Sequence, residues 1–295
     1  MPKAMINGVN LHYHVSGRGV PILFIHPPLL TSSIFNYQRT ELAESCKVIT
    51  FDIRGHGRSD PSEQPITYEL IAEDMKQLLD YLGVEQAYVC GYSTGGGIAL
   101  HAMLSYPDRY LGGILLSAMS EVSDWWLKSR LTIATTLMQT KLSQVLNMGI
   151  SWGNKDSYQT YKQLFGTAKH GDPRNIMEYY AYSKAYSCTK QLPQIKQPIL
   201  LAYGQKDRSF YRYAEILHHL LPSSSLYFMR NVGHQLPTKA GDRVNRLMRQ
   251  WIMMQLEARN GEGVKEKMEF QRSLEQLSMY GNEWNEDHIH SERDL

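Results

Sequence analysis

The chain has 295 residues, with 31 Lys and Arg against 29 Asp and Glu, a formal net charge of +2, and 42% hydrophobic residues. So even a charge leaves no electrostatic footprint for nucleic acid, and no apolar run approaches the roughly 20 residues that span a bilayer. The composition is that of a globular, cytoplasmic protein with one large core and room for an insertion.

The first residues, Met1 to Ile6, lack an apolar signal core. Short strands are expected near residues 4–6, 11–15, 22–25 and 48–51. His26-Pro27-Pro28-Leu29 follows the first strongly apolar of these, Phe51-Asp52-Ile53-Arg54-Gly55-His56-Gly57-Arg58-Ser59-Asp60 the fourth. Leu70, Ile71, Met75, Leu78, Leu79 and Leu82 fall on one face of a helix over 68–82. Ala87-Tyr88-Val89-Cys90 reads as a buried strand and runs into Gly91-Tyr92-Ser93-Thr94-Gly95-Gly96-Gly97, after which a helix runs up to Pro107. A serine between strand and helix requires a sharp turn. Glycines two residues to either side let backbones approach without Cβ clashes, and the turn raises the hydroxyl above the helix N-terminus. No Gly-x-x-x-x-Gly-Lys-Ser/Thr run accompanies it, which argues against a phosphate loop.

Gly113-Ile114-Leu115-Leu116 is the next strand. Between residues 120 and 192 the strand signal gives way to helix, with many aromatics: Trp125, Trp126, Trp152, Tyr158, Tyr161, Phe165, Tyr179, Tyr180, Tyr182 and Tyr186. Most are expected to pack among themselves, with Trp125, Trp126 and Met138 as candidates to line a pocket. Strands at 198–204 and 225–229, a helix from about 213 to 221 and a last helix over 239–256 restore the alternation. Repeated β-α-β units imply a mostly parallel sheet covered on both faces, an α/β fold.

A serine hydroxyl is a weak nucleophile without a base. On such a sheet the partners follow in the order serine, acid, histidine. Asp207 stands just beyond the strand at 198–204 and His234 just beyond the next, so both lie past the carboxyl ends of parallel strands. Ser93, Asp207 and His234 are the expected catalytic residues. Glu121, beyond the strand at 113–116, is the alternative acid, and His56 a weaker alternative histidine. Cys90 sits in an apolar strand, where burial is expected over reactivity. The cysteines Cys46, Cys90 and Cys188 have no paired spacing, which suits a reducing compartment. His288 and His290 lack a nearby third ligand, so neither metal nor cofactor is expected.

These motifs, spread over residues 22–251, resemble the α/β-hydrolase fold superfamily, and the Gly-Tyr-Ser-Thr-Gly-Gly and Arg-Gly-His-Gly-Arg-Ser versions resemble its haloperoxidase, esterase and perhydrolase branch. The resemblance implies a core at 1–120 and 193–259, a helical cap inserted at 121–192, and a Ser-His-Asp hydrolase acting through an acyl-enzyme on a small or medium apolar ester, thioester or lactone. The same triad serves perhydrolases and C–C-bond hydrolases, and other members of the fold bind ligands without turning them over. One departure bears on the chemistry. The family has His-Gly-x after the first strong strand, and the N–H of x completes an oxyanion hole. Here Pro27 and Pro28 offer no N–H, so Leu29 is expected to supply the second donor beside that of Thr94. The stretch 260–295 carries a net charge of −5. It is expected to be an acidic tail, disordered or contacting a protein partner.

Overall fold

The computed structural model describes residues 2–140 and 142–260. The acidic stretch expected at 260–295 lies outside the described residues, apart from its first residue at the end of the last helix. Eight strands form one sheet in the order β1-β2-β4-β3-β5-β6-β7-β8. They are β1 (Lys3–Ile6), β2 (Val9–Ser16), β3 (Val20–Ile25), β4 (Cys46–Phe51), β5 (Ala87–Tyr92), β6 (Tyr110–Leu116), β7 (Ile199–Gly204) and β8 (Ser224–Met229). β2 is antiparallel to both its neighbours, and the other pairs are parallel. β5 and β7 are buried at every position, which is why they read as unbroken apolar runs and not as alternating ones.

The helices are α1 (Asn36–Glu41), α2 (Tyr68–Tyr81), α3 (Thr94–Ser105), α4 (Trp125–Met138), α5 (Ser143–Asn154), α6 (Tyr158–Ala168), α7 (Pro173–Ala185), α8 (Tyr211–Leu220), α9 (Leu236–Lys239) and α10 (Gly241–Asn260). In α2 the Thr67 hydroxyl accepts the Leu70 N–H and caps the first turn, and Ile71, Met75, Leu78 and Leu79 are buried on the expected face. The C-terminal helix expected at about 239–256 is α10, and the short α9 precedes it. The backbone leaves helical geometry at Ala240, φ −140°, and α10 starts at Gly241. The chain divides into a unit Met1–Arg249, which holds the sheet and the site, and a unit Gln250–Leu295, whose described part is the end of α10.

Two polar clusters anchor the loops beneath the site. Asp52 accepts from the Ser32 N–H and hydroxyl at 2.9 and 2.6 Å, from the Arg58 N–H at 3.0 Å and from the His12 ring at 3.0 Å. Burial pushes its carboxyl up, but these hydrogen bonds and the nearby His26 prevail and hold it well below the carboxylate range. Arg54 and Asp74, both buried, form a bidentate pair at 2.6 and 2.5 Å that ties the loop after β4 to α2. The four helices between β6 and β7, α4 to α7, begin and end next to each other, because Glu121 and Ser187 form an antiparallel bridge.

Candidate active site

Order reversal around β3 places the carboxyl ends of β3 and β5 side by side, at the switch point where open α/β sheets bind ligands. Ser93 follows β5 with φ 54° and ψ −123°, a strained left-handed conformation for a residue with a Cβ. The flanking glycines permit that turn. A Cβ on Gly91 would lie 2.4 Å from the Gly95 carbonyl oxygen, and one on Gly95 would lie 2.4 Å from that of Ile25. The elbow therefore packs against itself and against β3 only because both residues lack a side chain.

The loops after β7 and β8 bring the other expected partners to this serine. They are joined through the Gln205 N–H to the Met229 carbonyl and the Lys206 N–H to the Val232 carbonyl, at 2.9 and 2.8 Å. His234 Nδ1 is 2.7 Å from Asp207 Oδ2, and its Nε2 is 3.0 Å from Ser93 Oγ. An ionised carboxylate only accepts, so Nδ1 carries the proton and Nε2 is free to accept from the serine hydroxyl. Asp207 is buried and also accepts from the Ser209 hydroxyl at 3.2 Å. The Phe210 and Tyr92 rings flank the imidazole, with centroids at 4.3 and 5.5 Å.

The two alternatives are placed elsewhere. The Glu121 carboxylate accepts from the Ser187 and Thr189 hydroxyls at 3.0 and 2.8 Å. His56 is fully buried against His26 and Tyr179. Burial pushes it down to about 3, so its ring is neutral. Cys90 is buried and burial pushes its thiol well up, as expected of a packing residue.

The segment after β3 is held on several sides. The His26 Nε2 accepts the Ile53 N–H at 2.9 Å, so Nδ1 carries the proton and donates to the Pro27 carbonyl at 2.9 Å. Tyr179 and Tyr180, consecutive on α7, donate their hydroxyls to the carbonyls of His26 and Pro28 at 3.0 and 3.4 Å. Leu29 has φ 68°, a left-handed conformation costing about 1–3 kcal/mol in a non-glycine residue. Leu29 is buried and is not part of the cavity wall, whereas Pro27, Pro28, Leu30 and Thr94 are. Thr94 is the first residue of α3, among the donors a helix leaves unpaired at its start.

The cavity above Ser93 measures about 310 Å³. Its wall is largely apolar: Met119 from the core, Leu127, Leu131, Ile133 and Ala134 from α4, Leu146 and Ile150 from α5, with Tyr92, Asn154, Tyr180, Gln235 and Arg130 as polar groups. Three expected wall residues are corrected. Trp125 and Trp126 are 74% and 55% exposed, and Met138 is buried away from the cavity. The inward stripe of α4 is Leu127, Leu131, Ala134 and Met138, the 3-4 helical period. The tryptophans sit off that stripe, so period, not bulk, decided which residues face in. The reading of the sequence also missed Tyr92, Phe210 and Gln235. Each stands within three residues of a member of the triad, and that adjacency was the available signal. Tyr180 was counted only as packing.

A family model of the alpha/beta hydrolase fold matches residues 20–237. The chain belongs to the alpha/beta hydrolase fold family. Among its members, the chain is 27% identical over 259 residues to the AB hydrolase superfamily protein YisY of Bacillus subtilis, covering 82% of this chain and 95% of that one. It is 25% identical to the serine hydrolase BPHL of Homo sapiens, covering 85% of each. In fold it is similar to the esterase EaEST of Exiguobacterium antarcticum, with a TM-score of 0.78 at 19% identity over 85% of this chain and 98% of that one. Among the described residues no helix is long and apolar enough to cross a membrane.

Proposed function

We propose that this alpha/beta hydrolase is a serine hydrolase acting through an acyl-enzyme on apolar esters, thioesters or lactones of small to medium size. The observation that carries the reading is the hydrogen-bonded chain from Asp207 through His234 to Ser93. Ser93 Oγ attacks the carbonyl carbon while His234 Nε2 takes its proton. The imidazolium so formed is stabilised by Asp207 and returns the proton to the leaving oxygen or sulfur. Water, deprotonated by His234, then releases the acid. The Thr94 N–H stabilises the oxyanion. We assign the second donor to the N–H of Leu29, the first after the prolines; Leu29 itself is buried behind the wall, but its neighbours Pro28 and Leu30 line it. The apolar wall from α4 and α5 favours an acyl chain over a sugar or a phosphate ester. The 25% identity to a protein named serine hydrolase supports the class.

A ligand-binding member without turnover is favoured by one feature only, the presence of Pro28, which lacks an N–H, in the cavity wall. Labelling with a fluorophosphonate followed by an ester panel of graded acyl length separates the two. The hydrolase reading expects labelling and turnover, both lost in Ser93→Ala. Labelling without turnover selects the ligand-binding reading, and undiminished turnover in folded Ser93→Ala overturns the nucleophile.

A further inference from the structure

Arg130 lies on α4, between the inward Leu127 and Leu131, in the wall of the cavity above Ser93. It is exposed at the same time, so its guanidinium belongs to the mouth of the cavity. No carboxylate forms an ion pair with Arg130 among the described residues. The acids of the neighbouring elements are committed elsewhere. Asp124 caps α4 through the Leu127 N–H and accepts from Tyr213. On α7, which packs along α4, Glu178 accepts from Asn175 and the Ile66 N–H. α5 contributes no acid. The cavity wall itself has no Asp or Glu.

The charge of Arg130 reaches into the pocket. Burial pushes up the phenols of Tyr92 and Tyr180, and Arg130 opposes that push at both. Both hydroxyls are already occupied, that of Tyr92 by Asn154 and that of Tyr180 by the Pro28 carbonyl. A planar guanidinium that makes no hydrogen bond or ion pair among the described residues, in the wall of a largely apolar cavity that also holds Ser93, suits a ligand with an apolar stem and a planar anion at its far end.

We propose that Arg130 is a specificity-determining residue that selects acyl substrates carrying a carboxylate remote from the carbonyl under attack. The inference rests on the hydrolase reading above and narrows its substrate class to half-esters and related mono-anions of dicarboxylic acids. The guanidinium binds the free carboxylate bidentately at the mouth, the methylenes lie along Leu127 and Leu131, and the ester carbonyl reaches Ser93.

The test compares p-nitrophenyl hydrogen glutarate with p-nitrophenyl valerate, acyl groups of nearly equal length that differ in the terminal charge. The wild type should favour the glutarate ester in kcat/KM, through a lower KM. In Arg130→Gln that preference ratio should fall at least about tenfold, and in Arg130→Glu it should invert. Added salt should reduce the preference in the wild type and not in Arg130→Gln, since a charge at the mouth is screened. An equal ratio in wild type and Arg130→Gln overturns the proposal while leaving the hydrolase reading intact. Should neither ester turn over, the hydrolase reading falls, and calorimetry with monomethyl glutarate and dimethyl glutarate decides the anion site alone. Binding of the mono-anion that is lost in Arg130→Gln supports it, and equal binding to both proteins overturns it.

Discussion

Tyr179 donates its hydroxyl to the carbonyl of His26, a residue 153 positions earlier, at 3.0 Å. Helix α7 thereby holds the backbone that leads into Pro27, Pro28 and Leu29. Tyr179→Phe keeps the ring and leaves a buried carbonyl without its donor, which costs about 1–3 kcal/mol. The expected outcome is a folded protein with a lowered urea midpoint and a kcat for ester hydrolysis reduced several-fold, with KM less affected. Steady-state kinetics beside a urea titration check it, and a variant with wild-type kcat would detach Tyr179 from the site's geometry.

Replacing Asp207 by Asn tests the acid. An amide at this position can donate to Nδ1, which moves the imidazole proton to Nε2 and removes the acceptor for the Ser93 hydroxyl. Turnover should drop by about three to four orders of magnitude with substrate binding little changed. Glu121→Gln should leave turnover near wild type, because that carboxylate serves the hydroxyls of Ser187 and Thr189. The reverse pattern in the two variants would transfer the role to Glu121.

Acid should weaken the fold through buried histidines. Burial lowers His56 from its ordinary 6.5 to about 3, and lowers His26 as well. Between pH 6.5 and 3 the unfolded chain therefore binds protons that the folded chain refuses. The corresponding stability is full above pH 6.5 and is lost as pH falls toward 3. His56→Asn keeps a donor near the Arg54 carbonyl that His56 Nδ1 now contacts at 3.1 Å, but does not titrate. Urea unfolding from pH 7 to 4.5 should show a stability slope shallower by nearly one proton in this variant. An unchanged slope would mean that His56 charges freely in the folded state.

The Arg54–Asp74 pair is buried on both sides. Removing only the arginine, as in Arg54→Met, leaves an uncompensated buried carboxylate and should cost about 3–5 kcal/mol. Adding Asp74→Leu to Arg54→Met should recover much of that loss. Chemical denaturation of the single and double variants measures the coupling, and additive losses would show that packing of the arginine stem, not its charge, dominates.

Much of this architecture was legible because local chemistry and global fold agree at the same residues. β3, β5 and β7 announce themselves as apolar runs, and each is followed by a residue type that has a use at the end of a parallel strand. β6 was read from Gly113 onward but begins at Tyr110, since Gly112-Gly113 conceals its first half from any reading based on strand propensity. Ser93, Asp207 and His234 could be singled out together because order along the chain maps onto order across the sheet, and the structure places them within hydrogen-bond reach, Asp207 of His234 and His234 of Ser93. The cavity wall was harder. Trp125 and Trp126 stand out by size, yet α4 contributes Leu127, Arg130, Leu131, Ile133 and Ala134 to the wall, three of them from its buried stripe. α5 shows why composition misleads there: Asn147, Ser151 and Asn154 are buried, while Val145, Met148 and Trp152 are exposed. Its polar side turns inward because those groups find partners, Asn154 with Tyr92 and Ser151 with Asn147, and no rule of hydrophobic patterning anticipates that.

The bridge between Glu121 and Ser187 makes the four-helix insertion a detour that returns to its starting point. Chain connectivity between β6 and β7 then demands little of the residues in between, because a short linker could close the same gap at small entropic cost. The part of the wall that α4 and α5 supply is therefore the place to graft another helical segment, provided the graft keeps the ties of α7 to the core, from Tyr179 and Tyr180 to the His26 and Pro28 carbonyls. For protein engineering, that bridge marks the pair of splice points at which substrate range and catalytic chemistry can be inherited from different parents.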